Sequence, residues 1–203
     1  MVQHERNTSG CEKRHVVLIS NDANSKRESP PVFFCDVLFP YFCRMTIIRK
    51  GKKEDLPRVL ELVKELAEFE RAPEQVINTV EQMEIDGFGP HPIFGFFVAE
   101  GEKGIVGLSL YYWRYSTWKG KRLFLEDIIV TESERGKGIG KQLFDRTLQH
   151  ALDENCSGMM WQVLDWNEPA IKFYKKYGSH LSNEWYNCSL ERDQIESLLN
   201  TST

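Results

Sequence analysis

Arg135-Gly136-Lys137-Gly138-Ile139-Gly140 has the residue types and spacing to hold an anion. Three glycines at alternate positions strip the side chains from one turn, so successive backbone N–H groups can point at a single group. The turn follows Arg122 to Val130, which reads as a strand, and opens a periodic segment that reads as a helix ending near Asn155. The helix brings its positive dipole end to the turn, and Arg135 adds a fixed charge. A diphosphate suits such a cradle. It is not a nucleotide P-loop, because Gly140-Lys141 is followed by Gln142 and position 135 is Arg rather than Gly. It is not the dinucleotide fingerprint either, because the third glycine would fall at Lys141.

Arg-x-x-Gly-x-Gly after an acidic, apolar strand resembles the acetyl-CoA pyrophosphate loop of the GCN5-related N-acetyltransferases (GNAT). A second stretch agrees with it: Asn167-Glu168-Pro169-Ala170-Ile171-Lys172-Phe173-Tyr174 is similar to the Asn-x-x-Ala-x-x-Phe-Tyr segment of that family. Part of this stretch is helix punctuation, with Asn167 as cap, Pro169 in the first turn and Gly178 at the end. The resemblance implies that acetyl-CoA, as cosubstrate, lies along Ile128, Ile129 and Val130, then along Arg135, Gly136, Lys137, Gly138, Ile139, Gly140 and Lys141. Asn167, Glu168, Pro169 and Ala170 would line its pantetheine arm. It also implies that Tyr174 is the general acid for the departing thiolate. The plainer reading of Tyr174 is an aromatic core residue beside Ile171 and Phe173.

Acetyl transfer to an amine also needs a group that takes a proton, since a lysine-like ammonium with a pKa near ~10.4 has no free lone pair at neutral pH. Glu126 and Asp127 stand just upstream of the loop. Neighbours on a strand face opposite sides, so one acid can face the reacting centre while the other serves structure. Glu126 is expected to face inward, bind the ammonium and take its proton through water. A covalent mechanism through Cys156 or Cys188 is disfavoured, because no His is placed to activate either thiol.

Four further stretches, Lys64 to Glu70, Asp86 to Pro92, Tyr115 to Lys121 and Leu123 to Asp127, together look like the diamine acetyltransferase group within this family. Its polyamine branch carries Asp-Pro before the tryptophan corresponding to Trp118, where this chain has Ser116-Thr117. Val163-Leu164-Asp165-Trp166-Asn167 is similar to the thialysine branch. A long polycation needs carboxylates spaced to meet its distant charges, so losing one lowers its affinity. The expected acceptor is thialysine or a related small primary amine, with weaker polyamine acetylation. Phe69, Glu70, Glu126 and Trp118 would contact it, although Phe69 is nearly as well read as core packing and Glu70 as a solvated helix end. A spermidine/spermine-type activity and a CoA-binding scaffold with little turnover remain as alternatives. A homodimer is implied by the resemblance, with slight support from the aromatic runs Tyr111-Tyr112-Trp113 and Trp185-Tyr186.

The elements that must position these groups follow from periodicity. Thr46 to Arg49 reads as a strand and Glu54 to Arg71 as an amphipathic helix. Thr79 to Gln82 has capping-box spacing for a second helix, expected to stop at Gly87. Phe94 to Glu100 and Ile105 to Tyr112 form a hairpin around Gly101 and Gly104. After the glycine loop come a strand at Met159 to Leu164, a helix at Glu168 to Tyr177, a strand at Trp185 to Leu190 and a helix at Arg192 to Leu199. The fold class is α/β with a mixed sheet flanked by helices, and the resemblance implies the GNAT fold for residues 45–203.

The chain of 203 residues suits one domain of that size with residues 1–44 as an N-terminal extension, expected to be poorly ordered. A net charge of -4 argues against nucleic-acid binding. Five cysteines without Cys-x-x-Cys or His-rich spacing read as free thiols in a reducing compartment, with no metal site. No apolar run approaches the ~20 residues that span a bilayer. The polar start, Met1 to Arg14, does not read as a signal peptide, so a cytoplasmic or nuclear protein without membrane contact is expected.

Overall fold

The computed structural model describes residues 46–200. The expected extension, with its apolar runs Val16 to Ile19 and Phe33 to Cys43, lies outside the described residues. The elements in order are β1 (Ile47–Lys50), α1 (Leu56–Phe69), α2 (Val80–Phe88), β2 (Phe94–Gly101), β3 (Gly104–Ser116), β4 (Gly120–Val130), α3 (Ile139–Asp153), β5 (Met159–Trp161), α4 (Glu168–Lys175) and α5 (Arg192–Asn200). The strands form one mixed sheet in the order β1-β2-β3-β4-β5. The first three pairings are antiparallel and β4–β5 is parallel.

Each face of the sheet buries its own apolar cluster. Leu56, Val59 and Leu62 of α1 and Met83 of α2 pack on Phe96, Val98, Leu108, Leu110 and Ile129. Ile139, Leu143, Phe144 and Ala151 of α3, with Tyr174 of α4, pack on Phe97, Ala99, Tyr111, Leu123 and Leu125. The period-2 alternation of β2 divides its residues between these faces. In β4 the alternation breaks. Leu123 and Leu125 face α3, yet Ile129, of the same parity, faces α1. Across the β3–β4 ladder Leu110 pairs with Asp127 and Tyr111 with Leu125, so Glu126 is an extra, unpaired residue. This β-bulge moves every later side chain to the other face.

Charge fixes the helices against the sheet. Arg58 of α1 donates to the Ile105 carbonyl and to Thr131 Oγ1 just after β4, both at 3.0 Å, and Thr131 Oγ1 donates to Glu65 at 3.1 Å. Under α3, the wholly buried Ser109 and Thr147 hydroxyls meet at 2.6 Å. Thr147 Oγ1 gives its proton to the Leu143 carbonyl at 2.9 Å, so Ser109 is the donor in that pair.

Three expected boundaries change. The second helix passes Gly87 and ends at Phe88, with Gly89 N–H donating to the Ile85 carbonyl. Gly87 serves close packing instead, since a Cβ there would lie 2.6 Å from the Phe94 ring. The strand expected at Met159 to Leu164 stops at Trp161, where pairing with β4 ends at Leu125. The strand expected at Trp185 to Leu190 does not form, and these residues are exposed. Alternating apolar residues make a strand only where a neighbour takes up their backbone hydrogen bonds, and none is placed here among the described residues.

Candidate active site

Parting of β4 and β5 makes the site. Beyond Leu125 and Trp161 the two strands no longer pair, and Glu126 to Val130 and Gln162 to Leu164 face each other across a cleft of about 600 Å³. Backbone N–H and C=O groups on this stretch of β4 therefore have no β5 partner and can meet a ligand, apart from the Val130 carbonyl, which accepts from Arg135.

One end of the cleft is the glycine loop. Gly136 and Gly138 have φ of 78° and 79°, the left-handed region that a side chain strains. Gly138 is the N-cap of α3 and brings no side chain to the cap. The N–H groups of Ile139, Gly140 and Lys141 have no intrahelical partner, since the first helical bond runs from Gln142 N–H to the Gly138 carbonyl. Three orphan donors at the start of a 15-residue helix fit a phosphate group. Arg135 Nε donates to the Val130 carbonyl at 2.9 Å and its guanidinium lies 5.4 Å from the Phe69 ring centre. It buttresses the turn and lines the cleft.

The other end is acidic. Glu70, Glu126 and Asp127 all line the cleft. The expectation that Asp127 would face away is corrected by the bulge, which breaks the alternation at these two residues. Glu126 is exposed, while Asp127 is drawn further from water. Burial, then the negative charges of Glu126 and Glu70, push the Asp127 carboxyl up to about 6. Burial also raises Glu70. From Glu126 to Val130 is about 13 Å along an extended strand, which separates the acids from the loop.

Tyr174 lines the same cleft. It is 5% exposed, and Trp161, Phe144 and Phe173 surround its ring. It packs in the core, as its plainer reading expects, and it also lines the cleft. The hydroxyl makes no hydrogen bond among the described residues, and burial pushes its pKa up to about 12. Asn167 caps α4, its Oδ1 accepting from Ala170 N–H at 3.3 Å, and both residues line the cleft. Ile128, Ile129, Val130, Gly136, Gly138, Ile139, Gly140 and Lys141 do so as expected.

Five expected residues, Lys137, Glu168, Pro169, Trp118 and Phe69, are not brought to the cleft wall. Lys137 pairs with Glu134 at 2.8 Å, Glu168 reaches towards Lys172, and Pro169 occupies the outer first turn of α4. Trp118 is 89% exposed between β3 and β4 and does not line the cleft. Phe69 packs against Trp166, and neither lines the cleft. The sequence reading missed Asp127 as a site acid, as well as Leu66, Val163 and Lys176 in the wall. Nothing local marks these residues, because a bulge and the splay of two strands are properties of pairing.

The split mixed sheet, the glycine loop on a helix start, and the acid and phenol in one cleft define an acetyltransferase of the GNAT type. Residues 56–178 match the family described as Acetyltransferase (GNAT) family, and the chain belongs to it. Its members use acetyl-CoA as cosubstrate and transfer the acetyl group to an amine. The chain is 39% identical to thialysine N-epsilon-acetyltransferase of Bos taurus over 163 residues, 75% of this chain and 96% of that protein. It is 35% identical to spermidine/spermine N(1)-acetyltransferase-like protein 1 of Homo sapiens over 158 residues, 73% of this chain but 23% of that longer protein. Among solved structures, an integron cassette protein of V. cholerae superposes with a TM-score of 0.62 at 23% identity, covering 76% of this chain and 97% of that one. Among the described residues, no helix is long and apolar enough to cross a membrane, and no three His, Cys, Asp or Glu side chains gather as a metal site.

Proposed function

We propose that the chain acetylates a small primary amine, best matched by thialysine or a related lysine analogue, with weaker action on diamines and polyamines. The observation that carries this reading is that Glu126 and Asp127 share one cleft with the Tyr174 phenol and the glycine loop. The thialysine-acting relatives and the Ser116-Thr117 pair support the choice of acceptor. The polyamine reading is the second choice, favoured by the three clustered carboxylates and by the spermidine/spermine-like relative.

The orphan N–H groups of α3 hold the diphosphate, and the unpaired edge of β4 from Ile128 to Val130 aligns the pantetheine arm. Acetyl-CoA supplies the acyl group as an activated thioester. Glu126 and Asp127 attract the ammonium, and Glu126 takes its proton through water. The C–N bond then forms as the C–S bond breaks, and Tyr174 gives its phenolic proton to the departing sulfur. A phenol pushed to about 12 stays protonated until that moment. The same burial disfavours a free thiolate, which offsets the mismatch with an ordinary thiol pKa of about 8.5.

We read residues 45–203 as the catalytic domain and the protein as a cytoplasmic homodimer. Exposed Trp113, Trp185 and Tyr186 support an interface, whereas Tyr111 does not, being 3% exposed in the core. The test is thiol release by the purified protein with acetyl-CoA and thialysine, spermidine or a lysine peptide. Fastest turnover is expected on thialysine. Equal or faster turnover on spermidine overturns the choice of acceptor, and no release with any amine overturns the amine reading.

A further inference from the structure

Behind the acids lies a second cavity, of about 530 Å³. Glu126 and Asp127 form a wall common to this chamber and the first cleft. An amine held at Glu126 therefore extends into the chamber with the rest of its body. The sides are apolar: Leu60 and Val63 from α1, Met83 from α2, and Leu110 from β3 suit a methylene chain. No Lys, Arg or His lines it.

Away from the shared wall, two polar side chains are placed to read a head group. Asp86 of α2 accepts a hydrogen bond from Gln82 Nε2 at Oδ1, at 3.0 Å. Its second oxygen accepts none among the described residues. Asn78, just before α2, accepts the Thr79 N–H at Oδ1, at 2.8 Å. That bond turns the side-chain NH₂ outward as a donor. The helix bearing Asp86 packs on β2, and β3 separates β2 from β4, so the in-plane offset between that helix and the acids is two strand spacings, roughly 10 Å. An extended lysine-type side chain spans a distance of that order. A carboxylate for an ammonium and an amide N–H for a carboxylate together complement an amino-acid zwitterion. A plain diamine would use only the first.

We propose that this chamber is the head-group subsite of the acceptor, with Asp86 taking the α-ammonium and the Asn78 amide the α-carboxylate of an ω-amino amino acid. This rests on the amine-acetylating reading of the cleft and adds to it what distinguishes one amine from another.

The experiment compares kcat/KM for thialysine and for 1,5-diaminopentane, in the parent and in Asn78→Asp. The parent is expected to favour thialysine by at least about tenfold, the factor set by one good polar contact. Asn78→Asp keeps the acceptor for Thr79 N–H but sets a negative charge against the α-carboxylate. The thialysine-to-diamine ratio is expected to fall about tenfold, through KM for thialysine. A ratio within twofold of the parent's overturns the subsite, as does a parent that treats the two amines alike. Asp86→Asn gives a second reading, lowering kcat/KM for the diamine relative to n-pentylamine. An unmoved ratio there also counts against the proposal. If the parent acetylates no amine, the catalytic reading falls. If it acetylates amines but these ratios do not move, only the head-group subsite falls.

Discussion

Phe69, the last residue of α1, packs against Trp166, with ring centres 5.6 Å apart and planes at 46°. Each ring also carries a guanidinium, Arg135 over Phe69 and Arg71 over Trp166 at 5.1 Å. The four side chains form a continuous stack from the glycine loop, past the end of α1, to the residue before the α4 cap. It ties together the elements on either side of the cleft mouth. Trp166→Ala removes a ring–ring and a cation–ring contact, each worth about 0.5–1 kcal/mol at such an exposure. The expected result is a KM for acetyl-CoA raised roughly fivefold, since the Asn167 cap loses its support. Steady-state kinetics checks this, and an unmoved KM would show that the stack does not shape the cleft.

Tyr174→Phe keeps the ring among Phe144, Trp161 and Phe173 and removes only the hydroxyl. Turnover is expected to fall roughly 10²-fold, the usual worth of a positioned acid. Acetyl-CoA affinity by calorimetry should stay within about twofold, because the phenol is not part of the phosphate cradle. A variant as fast as the parent would remove Tyr174 from the proton transfer.

Gly138→Ala tests the loop. The backbone there sits at φ of 79° with nothing within 4 Å of an added Cβ, so the cost is conformational rather than a clash. That strain is about 1–2 kcal/mol. Relaxing it turns the first amides of α3 away from the anion, and CoA affinity is expected to drop about tenfold. Gly140→Ala, whose Cβ would make an ordinary 3.7 Å contact with Val130, should be well tolerated in folding. Equal melting losses in the two variants would contradict this account.

Asp127 gives the pH dependence. Its folded pKa, about 6, lies above the 3.8 of an ordinary carboxyl. Between these values the folded state binds more protons than the unfolded one, so this group's contribution to stability falls as pH rises through the window. Asp127→Asn removes that cost. It should raise the melting temperature at pH 7 relative to the parent, and by less at pH 4. Activity should move the other way, since neutralising Asp127 weakens the hold on an ammonium. The acidic limb of kcat/KM for the amine, near pH 6 in the parent, should change in the variant. Thermal melts and pH–rate profiles read both effects, and a parent-like limb would assign the titration to another group.

Much of this protein was readable from local pattern. Helix periodicity placed α1, α3 and α4 to within a few residues, and Thr79 and Asn167 cap their helices as their spacing implied. Glycines at 136 and 138 marked the left-handed turn, because only glycine adopts it without strain. These are properties of a few consecutive residues, and the chain carries them wherever it folds.

Pairing between distant strands decided the rest. Glu126 and Asp127 come to one cleft only because β3 is one residue short of β4 at Leu110, and no property of either acid announces that bulge. The strand after Trp161 ends because β4 turns away from it, and the same parting opens the cleft. Trp185 to Leu190 has the alternation of a strand but finds no partner among the described residues. Asp86 and Asn78 share a chamber with Glu126 because α2 packs on β2, two strands away from β4. The amino-acid sequence determined local conformation and the inventory of chemical groups. The long-range register of the sheet decided which groups meet, because hydrogen bonds between distant segments depend on both partners at once.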